Sequence, residues 1–245
     1  MIRTFFAFLY VIVAVMFLFP FGFITTVFYM FGIKKTMTML TYRFAQGWAY
    51  LTFVFTGSKI TVTGKENIPK KGSVCFVSNH CGYFDIILLL AFCGRPFGFV
   101  AKKELLFLPF FNAWIFMLGG LFIDRSSVRK AMRTINRGVE KIKKGGGMLI
   151  FPEGHRSKGR GLLPFHAGSL KLATAAEAPI IPVAIEGSYE VFEKTNRVVK
   201  SNVKITFCPP IETAGLSAVE KKQILCDRIY AVIKDKLETK DEGLE

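Results

Sequence analysis

V-C-F-V-S-N-H-C-G-Y-F-D-I-I-L-L-L-A-F, residues 74–92, sets one polar insert between two apolar runs. Val74–Val77 reads as a buried strand and Ile86–Phe92 as a helix, so Ser78–Asp85 falls at a strand's carboxyl end, where open α/β folds place their chemistry. His80 and Asp85 are five residues apart, about 140° of rotation on a regular helix, so they cannot share a helical face. They meet only if part of the stretch is loop. Gly82 permits that bend, and Asp85 is a natural cap for a helix opening at Ile86. A carboxylate that holds one ring nitrogen fixes the tautomer and makes the other nitrogen a proton acceptor, which makes His80 a candidate general base.

Working outward, the same texture recurs. Ile60–Thr63, Phe97–Ala101, Leu121–Ile123, Met148–Phe151, Ile180–Ile185 and Val203–Phe207 read as further strands. Between and after them, Phe110–Leu118, Val128–Lys144, Ala167–Ala176 and Ala218–Leu237 read as helices. Alternation of this kind implies an α/β fold with a mostly parallel or mixed central sheet flanked by helices. Residues 59–238 then form one α/β domain, residues 1–58 a separate amino-terminal region, and residues 239–245 a polar tail.

Phe5–Ile33 carries no charge, with Arg3 before it and Lys34 and Lys35 behind. Its length and the lack of a small-residue cleavage site argue against a signal peptide, which leaves a retained apolar helical membrane-attachment element. As one helix it would be about 43 Å long, well beyond a bilayer core of roughly 30 Å. As a hairpin broken at Pro20, Phe21, Gly22 its arms would be too short to cross. Basic residues at both ends favour the hairpin, re-entrant or interfacial, on the cytoplasmic face. Thr36–Phe55 reads either as a helix along lipid or as one packed on the domain.

Of the 245 residues, 33 are Lys or Arg and 18 are Asp or Glu, a net charge of +15 that points to an anionic partner. With 51% apolar residues and 26 phenylalanines, an anionic membrane surface or a phosphorylated lipid fits better than nucleic acid, for which no module is present. Five cysteines without C-x-x-C spacing read as reduced residues. Three histidines in no zinc spacing imply no metal. Without G-x-S-x-G an esterase or thioesterase is disfavoured. A non-catalytic lipid-binding module would have no need of His80 beside Asp85.

Three more polar punctuations follow apolar strands: Asp124 and Arg125; Pro152 to Ser157; and Pro182, Val183. If those strands are parallel neighbours, His80, Arg125, Glu153 and Arg156 share a crevice. Glu153 reads as a second general base or, more readily, as the ion-pair partner of Arg156. Cys81, next to His80, is a rival covalent nucleophile. Amides near Cys81 and Gly82 are candidate oxyanion donors. Leu105–Leu118 suits either an acyl groove or a plain core helix.

With N-H-x-x-x-x-D at Asn79–Asp85, G-x-x-F-I-D-R-like Gly119–Arg125, F-P-E-G-x-R-S at Phe151–Ser157 and Ile181–Val183 in order, the chain resembles the lysophosphatidic acid acyltransferases. The resemblance spans about residues 78–184. It implies an O-acyltransferase that moves a fatty acyl group from acyl-CoA or acyl carrier protein, a co-substrate with no cofactor, to lysophosphatidic acid, 1-acylglycerol 3-phosphate. The product would be phosphatidic acid. Another lysolipid or glycerol 3-phosphate is the alternative acceptor. By the same likeness His80 is the base, Asp85 orients it, and Arg125, Glu153, Gly154 and Arg156 bind glycerol phosphate. The sequence departs from the family at Gly82, where serine is common, at His155, where threonine is common, and at Phe165–Gly168, which lacks the usual lysine. Lys102 and Lys171 are candidates to replace that lysine.

Overall fold

The computed structural model describes residues 2–108 and 111–239. Two antiparallel helices come first, α1 (Ile2–Met30) and α2 (Lys34–Thr56). Behind them come β1 (Lys59–Thr63), β2 (Val74–Ser78), α3 (Phe84–Phe92), β3 (Gly98–Lys102), α4 (Phe111–Met117) and β4 (Leu121–Ile123). The chain ends with α5 (Val128–Lys143), β5 (Gly147–Ile150), α6 (Lys171–Thr174), β6 (Ile180–Glu186), β7 (Asn202–Phe207) and α7 (Leu225–Glu238).

The seven strands form one sheet in the order β1-β7-β6-β2-β5-β3-β4. Five of them, β6 to β4, run parallel, whereas β7 is antiparallel to β6 and β1 follows β7. The sheet is therefore mixed. Its central strand β2 is flanked by β5 and β6, with Val77 level with both Ile150 and Pro182. That pairing brings the three strands to the same edge together.

Both faces of the sheet are covered, which is why its strands read as unbroken apolar runs. Val74 and Phe76 face a core built with Phe53 of α2, Leu88 and Leu89 of α3 and Ile115 of α4. Cys75 and Val77 face the other, built with Ile135 and Ile142 of α5, Leu172 of α6 and Ile229 and Ile233 of α7. Each fully buried Leu, Ile or Phe adds about 1.5–3 kcal/mol by leaving water.

The amino-terminal pair corrects one expectation. α1 runs unbroken through Pro20, and the chain reverses at Phe31–Ile33. Across the pair, Phe21 stacks on Phe44 at 4.2 Å, Thr41 bonds Thr25 at 3.3 Å, and Tyr10 donates to Trp48 O at 3.1 Å. Such packing offsets the missing proline amide, worth about 3 kcal/mol in an isolated helix. Among the described residues no helix is long and apolar enough to cross a membrane.

Three smaller boundaries differ. Ala167–Ala176 is a 3-10 turn followed by the single helical turn α6, and the last helix opens with a π turn at Glu220–Ile224. Leu105–Leu118 is no core helix: a 3-10 turn at Lys103–Phe107 precedes α4, and within them only Ile115 is buried among the described residues. The reading of Phe110 and that of the tail from Lys240 onward lie outside the described residues.

Candidate active site

The strand β2 delivers its polar insert to the sheet edge as expected. Asn79 closes a two-bond bridge to Ile185 of β6, accepting its N–H and donating to its carbonyl, both at 2.8 Å. This holds the loop down. Beyond it His80 Nδ1 lies 2.6 Å from Asp85 Oδ2, and the ring stacks on Phe151 with centroids 3.9 Å apart. The imidazole keeps 17% of its surface exposed and the carboxylate none.

Asp85 does not cap the helix; α3 opens at Phe84, and Asp85 sits in its first turn. From there its Oδ2 also accepts the amides of Cys81 at 2.7 Å and Gly82 at 3.0 Å, while Ser188 donates to Oδ1. An oxygen that already takes two amide protons acts as acceptor toward the ring, so Nδ1 carries the hydrogen and Nε2 is left as a proton acceptor. The same bonds correct the oxyanion expectation, because the amides of Cys81 and Gly82 are spent on Asp85.

The neighbouring loop after β5 braces the first. Glu153, 1% exposed, accepts the His80 backbone N–H at 2.7 Å and that of Leu163 at 3.3 Å. The Ser157 amide donates to His80 O at 2.7 Å and that of Lys158 to Cys81 O at 3.2 Å. Burial pushes the Glu153 carboxyl up to about 7, against the pull of its two amide bonds. Glu153 is thus not the partner of Arg156. It lies beneath the site and fixes the backbone that carries the base.

Arg156 pairs instead with Glu193, from the loop after β6, and lies over the Tyr83 ring at 3.7 Å. The second Glu193 oxygen takes the Tyr83 amide at 2.6 Å. Glu193, Ser188 and Tyr83 are the site residues that sequence reasoning missed. The one local signal was Gly82, since a Cβ there would come within 2.5 Å of Glu193 Oε2.

Arg125, exposed after β4, donates to Gly154 O at 2.6 Å, and Gly154 itself holds φ +74°, a region that favours glycine. Arg125, Gly154 and His166 therefore form a second cluster beside the first. Lys102 is exposed at the end of β3, level with Ile123 of β4, while Lys171 lies 3.9 Å from Met132 Sδ on α5. Cys81 is a poor nucleophile: its thiol donates to Ile185 O at 3.3 Å, and burial together with Asp85 and Glu153 drives it well above the usual thiol range.

Comparison with known proteins agrees with this geometry. Residues 59–186 match the model of the Acyltransferase family. A 1-acyl-sn-glycerol-3-phosphate acyltransferase of Borreliella burgdorferi is 33% identical over 77% of this chain and 74% of its own length. One from Escherichia coli is 35% identical over 64% of each. The crystal structure of the 1-acyl-sn-glycerophosphate (LPA) acyltransferase from Thermotoga maritima superposes with a TM-score of 0.82 at 27% identity over 99% of both chains, so the amino-terminal helix pair falls within the likeness. Three of the four motifs meet at the carboxyl edge of the sheet while the fourth, Ile181–Val183, lies inside β6, and the chain belongs to the acyltransferase family and, within it, to the 1-acyl-sn-glycerol-3-phosphate acyltransferases.

Proposed function

We propose that the chain transfers a fatty acyl group from a thioester to the free hydroxyl of 1-acylglycerol 3-phosphate, giving phosphatidic acid. The observation that carries this reading is His80 held by Asp85 at the end of β2, with Arg156 on the adjoining loop. His80 Nε2 takes the hydroxyl proton as the oxygen attacks the thioester carbonyl carbon. The C–S bond then breaks and the imidazolium returns the proton to the departing thiolate. The bond of Nδ1 to Asp85 stabilises the imidazolium in between. Arg125 spends one of its five donors on Gly154 O, and its others, with Arg156, suit bidentate capture of the acceptor phosphate. Lys102 joins that group, while Gly154, with its N–H on Phe151 O and its carbonyl on Arg125, sets the guanidinium in place.

The acceptor and the acyl chains are lipids, and the helix pair offers the matching surface. Phe6, Phe23, Phe28 and Phe31 of the first helix and its turn, and Leu51 and Val54 of α2, are exposed, as are Phe107 and Phe116 near α4. α1 reaches α4 where Gly22 meets Met117. Apolar surface on this scale, joined to a net positive chain, is the physical signature of attachment to an anionic bilayer. This reading puts the pair in the interface, on the cytoplasmic side, and the catalytic loops at its rim.

Initial rates with lysophosphatidate and acyl thioester test the assignment. His80→Ala should cost about 10² to 10⁴ in kcat, and transfer at the wild-type rate would end it. Arg156→Ala should raise KM for phosphorylated acceptors well above its effect on neutral ones. An equal effect would put the phosphate elsewhere.

A further inference from the structure

The carboxyl edge of the sheet carries a second concave feature, away from His80. Between the 3-10 turn Lys103–Phe107, β4 and α5 lies a cleft of about 330 Å³, at the lower end of the usual range for small-ligand sites. Its charged lining is Lys103, Lys130, Arg133 and Arg137 against one carboxylate, Asp124. Lys130, Arg133 and Arg137 stand three and four residues apart on α5, so they share a helical face. Asp124 is fully engaged by Ser126, by Lys103 at 2.9 Å and by Lys130 at 3.5 Å. Arg133 and Arg137 are left without a carboxylate partner among the described residues. Beside them Phe107 is 81% exposed, an aromatic face turned to solvent next to unpaired guanidinium groups.

We propose that this cleft seats the phosphorylated nucleotide end of a coenzyme A thioester. The inference rests on the thioester-donor reading above and names where that donor is held. A nucleotide with a diphosphate and a further phosphate offers the anionic groups that planar guanidinium forks match, and a purine whose face suits Phe107. Concavity with an aromatic wall favours this occupant over a protein, which needs a broad complementary surface. The reach is also right. β4 is three strand spacings from β2 in the sheet order, roughly 14 Å. The pantetheine arm, roughly a dozen bonds from phosphate to sulfur, spans roughly the same distance when extended. With its phosphates in the cleft the donor's arm runs along the carboxyl edge from β4 toward β2 and His80, which leaves Arg125 and Arg156 to the acceptor.

The full chain in mixed micelles, titrated calorimetrically with free coenzyme A and assayed with acyl-coenzyme A and lysophosphatidate, tests this. The double variant Arg133→Ala/Arg137→Ala should lose about ten-fold or more in coenzyme A affinity and in KM for acyl-coenzyme A. Its KM for lysophosphatidate and its melting temperature should match wild type. Lysine at both positions should recover part of the loss, since it keeps the charge but not the fork. Unchanged coenzyme A affinity, or a rise confined to the acceptor's KM, would overturn the proposal. So would a wild type that accepts acyl chains only from an acidic carrier protein, which would make the cations a protein-docking face. A wild type that uses no thioester removes the donor reading and the cleft together, whereas normal turnover with an indifferent double variant removes the cleft alone.

Discussion

Two buried carboxylates hold His80, and they do so in opposite ways. Asp85 grips the ring and is surrounded by four donors, three on one oxygen and Ser188 on the other. Glu153 grips the backbone with one amide on each oxygen, and burial outweighs those bonds. The difference lies in the number of donors. A carboxylate taken from water keeps its charge in proportion to the hydrogen bonds that replace the water. One loop thus presents His80, and the loop after the adjacent strand keeps it in place.

The largest effect should come from the first carboxylate. Asp85→Asn leaves an amide N–H facing other donors and releases the tautomer of His80, so kcat should fall about 10³ to 10⁴ while KM changes little. Steady-state rates with both substrates check this, and a drop under ten-fold would mean that Asp85 only anchors the loop. Next comes Gly154→Ala, whose Cβ would meet Arg125 and His166 only at ordinary contact, 3.5 Å. Its cost is therefore the backbone at positive φ, about 1–2 kcal/mol of stability, with a rise in acceptor KM as Arg125 shifts. Denaturant unfolding and KM values together separate the two parts.

The effect smallest in turnover concerns Glu153 and is read in stability against pH. Its folded pKa is raised, so as pH climbs from the ordinary glutamate range through about 7 the unfolded chain gives up its proton first. This residue therefore lowers stability as pH rises through that window. Glu153→Gln removes the dependence. The melting temperature of the variant minus that of wild type should increase by roughly 5–10 °C between about pH 5 and about pH 8. A difference that shrinks over the range would show that Glu153 is ionised throughout.

Much of this was legible in the chain because it is written locally. Strands buried on both faces read as apolar runs, and their polar ends fall where the turns must be, so position alone was enough to bring His80, Asp85, Glu153 and Arg156 to one edge of the sheet. What stayed hidden depends on contacts far apart in sequence. Glu193 lies 110 residues from the Tyr83 amide it accepts, in a stretch with no recognisable pattern. Without it, the nearest carboxylate in sequence, Glu153, was the natural partner for Arg156. Pro20 misled for a related reason. Its local cost is real, but the partners that outweigh it, Phe44 and Thr41, are on another helix.

On the reading that Arg156 takes the acceptor phosphate, its pairing with Glu193 makes that capture an exchange reaction. An incoming phosphate must displace a resident carboxylate, so only the difference between the two pairings appears as affinity. On the same reading the pairing would weaken retention of a phosphorylated product, because Glu193 competes for its partner.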